Sequence, residues 1–187
     1  MLILLLCLPL AVAAGSPTQT LRDTIDGVLV VLHDAQMEKS AKREKIRSLI
    51  NDRFDYETMS RSTLAQNWKQ ATAEQQQRFV ALHARMMQDT YLVMVEEYND
   101  QAVQYRDERI KKERYAQVDT LILDAGKEIP VNYKLRLKDG EWLVYDVVIE
   151  GISMTSNYRS SYQQLVKTDG LDGLLAKLGS KLDGATE

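Results

Sequence analysis

Between residues 102 and 150 the chain gives up helical periodicity, and its apolar side chains recur at every second position. Ala116, Val118, Thr120 and Ile122 fall on one side of an extended chain, with Gln117, Asp119 and Leu121 on the other. Ile129, Val131, Tyr133, Leu135 and Leu137 alternate as cleanly with Asn132, Lys134 and Arg136. Lys138-Asp139-Gly140-Glu141 then reads as a tight hairpin, because Asp-Gly tolerates the positive φ that such turns demand. Residues 142–150 form the partner strand and residues 102–110 an earlier one. Consecutive strands with short connections predict a curved antiparallel sheet of four to five strands.

Helical patterns flank this block. Ser16-Pro17, with Gln19 placed to complete a capping box, opens a helix whose face is Leu21, Ile25, Val28, Leu29 and Leu32, to about residue 36. Ser40 is expected to cap a second helix bearing Ile46, Leu49, Ile50 and Phe54, and Ser62 to start a short third with Leu64 and Trp68. Thr72 with Gln75 is a further capping box, opening a long helix to about Tyr98 with two apolar stripes. One stripe is Phe79, Leu82, Met86 and Val93; the other is Val80, Ala84, Met87, Tyr91, Met94 and Tyr98. A helix that only covers a sheet shows one apolar arc, so this one is enclosed, or packs with one stripe and lines something with the other. Helices return at residues 156–166 and 172–182. The plan is α+β, with helices packed on the sheet.

The first fourteen residues contain no charged group, and residues 2–12 form an almost unbroken apolar run. That run is shorter than the ~20 residues needed to span a bilayer. With the small residues of Ala11-Val12-Ala13 it reads as the core of a secretory signal, residues 1–14, leaving residues 15–187 as a single domain. The one cysteine, Cys7, falls inside the signal, so disulfides, thiol catalysis and Cys-ligated zinc are excluded from the exported part. Export without disulfides points to a Gram-negative periplasm. The net charge of −3 lacks the basic footprint of a nucleic-acid binder.

Catalytic signatures are missing. The two histidines, His33 and His83, lie on separate helices without a ligand-spaced partner, and both read as partly exposed helix residues. There is no G-x-S-x-G elbow, P-loop or G-x-G-x-x-G. Asp146, within the most apolar strand, has two readings: a general acid or base, or a structural carboxylate paired with Arg159 or a backbone amide. The structural reading is preferred, because no second catalytic residue accompanies it. No metal site, cofactor or enzymatic activity is expected.

From Ile129 the chain reads IPVNYKLRLKDGEWLVYDVVIEGISMTSNYRSSYQQLV. This resembles the C-terminal half of the MlaC family, the periplasmic phospholipid-binding proteins also called toluene-tolerance proteins. The family run W-x-V-Y-D-V-x-x-E-G-x-S is met by Trp142, Val144, Tyr145, Asp146, Val147, Glu150, Gly151 and Ser153. The following N-Y-R-S is Asn157, Tyr158, Arg159 and Ser160, and the later family aromatic is Tyr162. Ala116, Val118 and Thr120 fit the upstream A-x-V-x-T run.

The resemblance implies a cone related to NTF2-like or cystatin-like folds, with added helices and a cavity for acyl chains between sheet and helices. On that reading the wall is Met86, Met87, Tyr91, Met94, Val118, Val131, Tyr133, Leu135, Trp142, Val147, Ile149, Tyr158 and Tyr162. Arg159, Lys111 and Lys112 are candidates for the headgroup or mouth, Arg159 through a guanidinium fork that suits phosphate. The basic run Arg109, Lys111, Lys112 and Arg114 reads equally as a solvated hairpin end. The implied ligand is a glycerophospholipid. The implied partners are an inner-membrane ABC transporter with a lipid-binding ring and an outer-membrane lipoprotein–porin complex, served by a monomeric carrier that maintains outer-membrane lipid asymmetry. Periodicity by itself describes a filled core; the pocket comes from the resemblance. A periplasmic interaction module with a filled core, or a cone-fold enzyme, stands as the alternative.

Overall fold

Each stretch of period-two alternation becomes a strand. In the computed structural model, which describes residues 15–96, 101–124 and 126–184, the strands are β1 (Ala102–Lys111), β2 (Tyr115–Asp124), β3 (Lys127–Lys138), β4 (Glu141–Ile149) and a two-residue β5 (Ile152–Ser153). They form one open antiparallel sheet in sequence order, with β1 and β5 at its edges. Register shifts in β1, between Tyr105 and Glu108, and between Lys134 and Leu135 of β3 opposite β4 bend the sheet, as inserted residues do. Asp139 (φ 52°) and Gly140 (φ 87°) supply the paired positive φ of a two-residue hairpin, and Glu150 (φ 50°) and Gly151 (φ 81°) do the same between β4 and β5. The Glu-Gly of the family run is thus a turn that folds β5 back onto β4.

Around the sheet lie α1 (Pro17–His33), α2 (Lys39–Asn51), α3 (Tyr56–Leu64), α4 (Gln66–Gln70), α5 (Ala73–Glu96) and α6 (Met154–Gly184). Ser16 caps α1 by accepting from the Gln19 amide at 3.1 Å, while the Gln19 side chain turns to Asp23 instead of closing the box. The Thr72/Gln75 box ahead of α5 closes both ways, at 3.0 and 3.2 Å. Gly170 (φ 72°, ψ 179°) breaks α6 into the two helices expected from sequence. The first begins ahead of residue 156, because the Ser153 hydroxyl accepts from the Ser156 amide at 3.1 Å. Residues 1–14, read as the signal, and Tyr98, read as the end of the long helix, lie outside the described residues.

Two expected helix starts are corrected. α2 begins at Lys39 with Glu38 at its N-cap, so Ser40 falls inside the helix. Ser62 likewise sits inside α3, which starts at Tyr56 because Asp55 caps it, accepting from the Thr58 amide at 3.0 Å and the Thr58 hydroxyl at 2.8 Å. The sheet dictates this start. The Asp55 amide donates to the Val144 carbonyl at 2.8 Å and the Val144 amide to the Arg53 carbonyl at 2.9 Å, so the chain ahead of α3 runs parallel to β4. The Asp55 carboxylate then pairs with Arg136 Nε on β3 at 3.2 Å.

Buried side chains separate into three groups. One joins the sheet to α1, α3, α5 and α6; a second fills the space among α3, α4, α5 and α6; a small third gathers Val28, Val31, Ile46 and Leu92 where α1, α2 and α5 meet. Asp55 connects the first group to the helices through a cap and an ion pair at once. Replacing Asp55 with Ala should therefore lower unfolding stability by about 3 kcal/mol, more than a cap alone. Urea denaturation followed by circular dichroism tests this; a loss no larger than that of a surface substitution would remove Asp55 from the framework.

Candidate functional site

Across β2, β3 and β4 one face of the sheet is largely apolar. Ala116, Val118 and Ile122 of β2, Val131, Tyr133, Leu135 and Leu137 of β3, and Trp142, Val144, Val147 and Ile149 of β4 contribute to one packed group. Opposite them stand Leu21 of α1, Met59 of α3, Met87 and Tyr91 of α5, and Met154 and Tyr158 of α6.

The spacing within β4 is irregular, and the irregularity makes the face. Strict alternation from Trp142 and Val144 would turn Asp146 inward and Val147 outward. Instead Val144 pairs with Leu135 and Asp146 with Lys134, which leaves Tyr145 as an extra residue. The bulge shifts the phase, so Val147 and Ile149 rejoin the apolar face while Asp146 leaves it.

Asp146 is only 5 % exposed, yet every oxygen is occupied. It accepts from Lys134 Nζ at 2.9 Å, the Ser153 hydroxyl at 2.8 Å and the Thr155 amide at 3.2 Å. A carboxylate so engaged is a clamp from the sheet to the start of α6. Of the two expected partners the backbone amide is present, from Thr155, and Arg159 is not: Lys134 is the cationic partner, and Arg159 Nε donates to the Ser62 carbonyl at 2.8 Å. Arg159 does share a cleft of about 170 Å³ with Asp146, lined also by Ser62, Lys134, Tyr145, Ser153, Thr155 and Ser156.

Of the residues read as pocket wall, Met87, Tyr91, Val118, Val131, Tyr133, Leu135, Trp142, Val147, Ile149 and Tyr158 come together on the sheet side. Met86 and Tyr162 face the other way, into the helical group with Phe79, Leu174 and Leu178. Tyr158 touches both groups. Met94 is 57 % exposed and joins neither. The two stripes of α5 do not sort cleanly between the layers, since Val80 of the second packs beside Leu82 of the first in the helical group. Phe79 and Met86 serve the helices, Met87 and Tyr91 serve the sheet, and Val93 is exposed. Lys111 and Lys112 are exposed at the β1–β2 hairpin, apart from the Arg159 cleft, and Arg109 pairs with Asp119 across the strands.

Two phenols on the sheet, Tyr133 and Tyr105, are held neutral by burial. Burial pushes Tyr133 up to about 12. Burial does the same to Tyr105, to about 12, although the guanidinium of Arg22 lies 4.0 Å from its ring centre and opposes the shift.

His83 was read as partly exposed, and the structure corrects this: it is 0 % exposed. It stacks on Phe79 at 5.2 Å, meets Tyr158 and Tyr162 edge-on, and shares a hydrogen bond of 3.1 Å with Ser60. Its Nε2 has no partner among the described residues. Nothing in the helical period separates a buried from a half-exposed histidine; only its place one turn after Phe79 hinted at burial. Among the described residues, no three of His, Cys, Asp and Glu gather closely enough to hold a metal ion.

A bent antiparallel sheet thus carries a largely apolar face on β2, β3 and β4, covered by methionine- and tyrosine-bearing helices. The family model for the MlaC protein matches residues 22–180, and the chain belongs to the MlaC family. It is 23 % identical over 177 residues to the intermembrane phospholipid transport system binding protein MlaC of Haemophilus influenzae, covering 90 % of this chain and 83 % of that one. It is 26 % identical over 182 residues to a toluene tolerance protein of Pseudomonas putida, covering 92 % and 83 %. Its fold matches that of a phospholipid-binding protein from Ralstonia solanacearum, determined in complex with a phospholipid, with a TM-score of 0.82 and 21 % identity. That match covers 92 % of this chain and 100 % of the other.

Burial lowers the pKa of His83 from 6.5 to about 4, so between those values the unfolded chain binds a proton that the folded chain refuses. Stability should be full above pH 6.5 and fall as the pH drops toward 4, by up to about 1.4 kcal/mol per pH unit. Denaturation midpoints measured across this window, with His83→Gln for comparison, should show the slope flattening in the variant. An unchanged slope would assign the acid sensitivity elsewhere.

Proposed function

We infer that this chain is a periplasmic phospholipid carrier that holds acyl chains between the apolar sheet face and the helices. The observation that carries this reading is the continuous face of Val118, Val131, Tyr133, Leu135, Trp142, Val147 and Ile149, opposed by Met87, Tyr91 and Tyr158. The intermembrane phospholipid transport system to which its Haemophilus relative belongs, and the phospholipid bound by its structural neighbour, support it.

The energetics explain the design. A diacyl phospholipid carries roughly 30 methylenes, each worth about 0.8 kcal/mol on leaving water. The total, about 24 kcal/mol, exceeds the practical ceiling of about 18–21 kcal/mol for non-covalent affinity. Release into water is too slow to be a transport step, so the carrier docks and passes its cargo directly. It needs an apolar interior with adaptable walls and a mouth that docks, and no catalytic group. Unbranched Met87 and Met59 repack around different chains at little strain. Loading parts the sheet from the helices along the seam at Tyr91 and Tyr158, while the separate helical group of Phe79, Leu174 and Leu178 keeps α5 and α6 together.

In this reading residues 1–14 direct export, and residues 15–187 act as a monomeric single domain in the Gram-negative periplasm. The donor and acceptor are an outer-membrane lipoprotein–porin complex and an inner-membrane ABC transporter with a lipid-binding ring, and the traffic maintains outer-membrane lipid asymmetry.

Native mass spectrometry of protein purified from bacteria should find phospholipid at near one-to-one stoichiometry. Val131→Asp or Val147→Asp should abolish loading while circular dichroism stays native; unfolding instead, with no lipid in the parent protein, would favour a filled core and an interaction module. Reversing Lys111 and Lys112 to Glu should slow hand-over to the membrane complexes at low salt without emptying the carrier, because rim charges act on association rate. Normal transfer by that variant would leave the basic run a solvated hairpin end.

A further inference from the structure

Two of the three buried groups meet at one side chain. Among the described residues, Tyr158 is the one hydrophobic residue packed against both the sheet-side group and the helical group. On the sheet side it stands beside Tyr91 of α5, whose phenol is held above its ordinary pKa by burial and then by the neighbouring Tyr158. On the helical side its ring meets His83 edge-on at 5.4 Å, and Tyr162 at 5.5 Å with the planes tilted by 43°.

The backbone under this ring is pinned, and the ring itself is not. The Thr155 amide is bonded to Asp146, the Ser156 amide to Ser153, and Arg159 Nε to the Ser62 carbonyl. The first turn of α6 is thereby fixed to β4, β5 and α3. No hydrogen bond holds the Tyr158 phenol among the described residues. An acyl chain entering at the seam therefore displaces the Tyr158 side chain before it displaces the helix. Behind that side chain lies His83, which is 0 % exposed and tied to three helices. It stacks on Phe79 of α5 at 5.2 Å, meets Tyr162 of α6 at 5.8 Å, and shares a 3.1 Å hydrogen bond with Ser60 of α3. In a close-packed interior the Tyr158 ring cannot turn toward the helices without moving His83.

We propose that His83 is a positioning residue for lipid loading: it holds the Tyr158 ring against the sheet-side group until lipid enters, and loading turns that ring and repacks His83. This deepens the carrier reading and rests on it. By linkage the effect runs both ways, so a docking partner that shifts α3, and with it Ser60 and His83, alters loading at the seam. Edge-to-face ring contacts are worth roughly two- to twelvefold in an equilibrium, enough to bias a side chain without locking it.

The test compares the whole protein stripped of lipid with the same protein reloaded from phosphatidylethanolamine–phosphatidylglycerol vesicles, with lipid occupancy read by native mass spectrometry. Followed by NMR, the ring signals of His83 should move on loading by more than those of His33 on α1, the other histidine. His83→Ala, which removes the contact, should take up lipid from the vesicles about tenfold faster than the parent. His83→Phe, which puts a ring back, should return to near the parent rate. A role confined to packing the helical layer would lower the thermal midpoint of His83→Ala and leave its uptake rate unchanged. If His83→Ala fails to fold, the NMR comparison on the parent decides alone. Lipid bound with His83 moving no more than His33, or parent-like uptake by a folded His83→Ala, overturns the coupling and leaves the carrier reading standing. A parent protein that takes up no lipid overturns both.

Discussion

Asp146 sits in a strand whose neighbours are Val144, Val147 and Val148, and it has to be kept out of the apolar interior. An unpaired carboxylate there would cost several kcal/mol. One extra residue, Tyr145, resolves the conflict by shifting the phase of β4 between Val144 and Asp146. The same shift carries Val147 and Ile149 onto the inner face and delivers Asp146 to Lys134, Ser153 and the Thr155 amide. The continuity of the apolar wall and the anchoring of the start of α6 both follow from that bulge. The Glu150-Gly151 turn then folds Ser153 back to cap α6.

The helices divide the remaining work. Leu64, Trp68, Phe79, Leu174, Leu175, Leu178 and Leu182 form a group of their own, away from the sheet. The helical layer thus has apolar contacts of its own, between α5 and α6, that do not depend on the sheet. His83 lies inside that helical layer, packed against Phe79, Tyr158 and Tyr162. The methionines are placed accordingly, with Met59, Met87 and Met154 toward the sheet and Met86 toward the helices.

Much of the plan was legible in local pattern. Alternation set the strands and which face of β2 and β3 is buried, Asp-Gly set the β3–β4 hairpin, and Ser16 and Thr72 marked real helix starts. The start of α3 was not legible, although Asp55 followed by Thr58 carries a capping signal. Two potential caps, Asp55 and Ser62, compete there, and the backbone bonds to Val144 of β4 decide between them. A backbone amide was anticipated as a partner of Asp146 and is found in Thr155, but the cation was misread. Lys134 lies opposite it only because of the shifted register, while Arg159, closer in sequence, is held by the Ser62 carbonyl.

The sequence by itself determined the α+β class, the antiparallel meander and the resemblance to the MlaC family, because these rest on residue spacing and type. Tertiary structure alone decided that Met86 and Tyr162 pack among helices while Met87 and Tyr158 reach the sheet, and that His83 is buried. Neighbouring positions on a helix differ by about 100° of rotation, and which of two adjacent apolar residues meets which layer depends on how the helix is rolled. That roll is set by contacts distant in sequence, such as Asp146 to the first turn of α6 and Arg159 to Ser62, which no local period records.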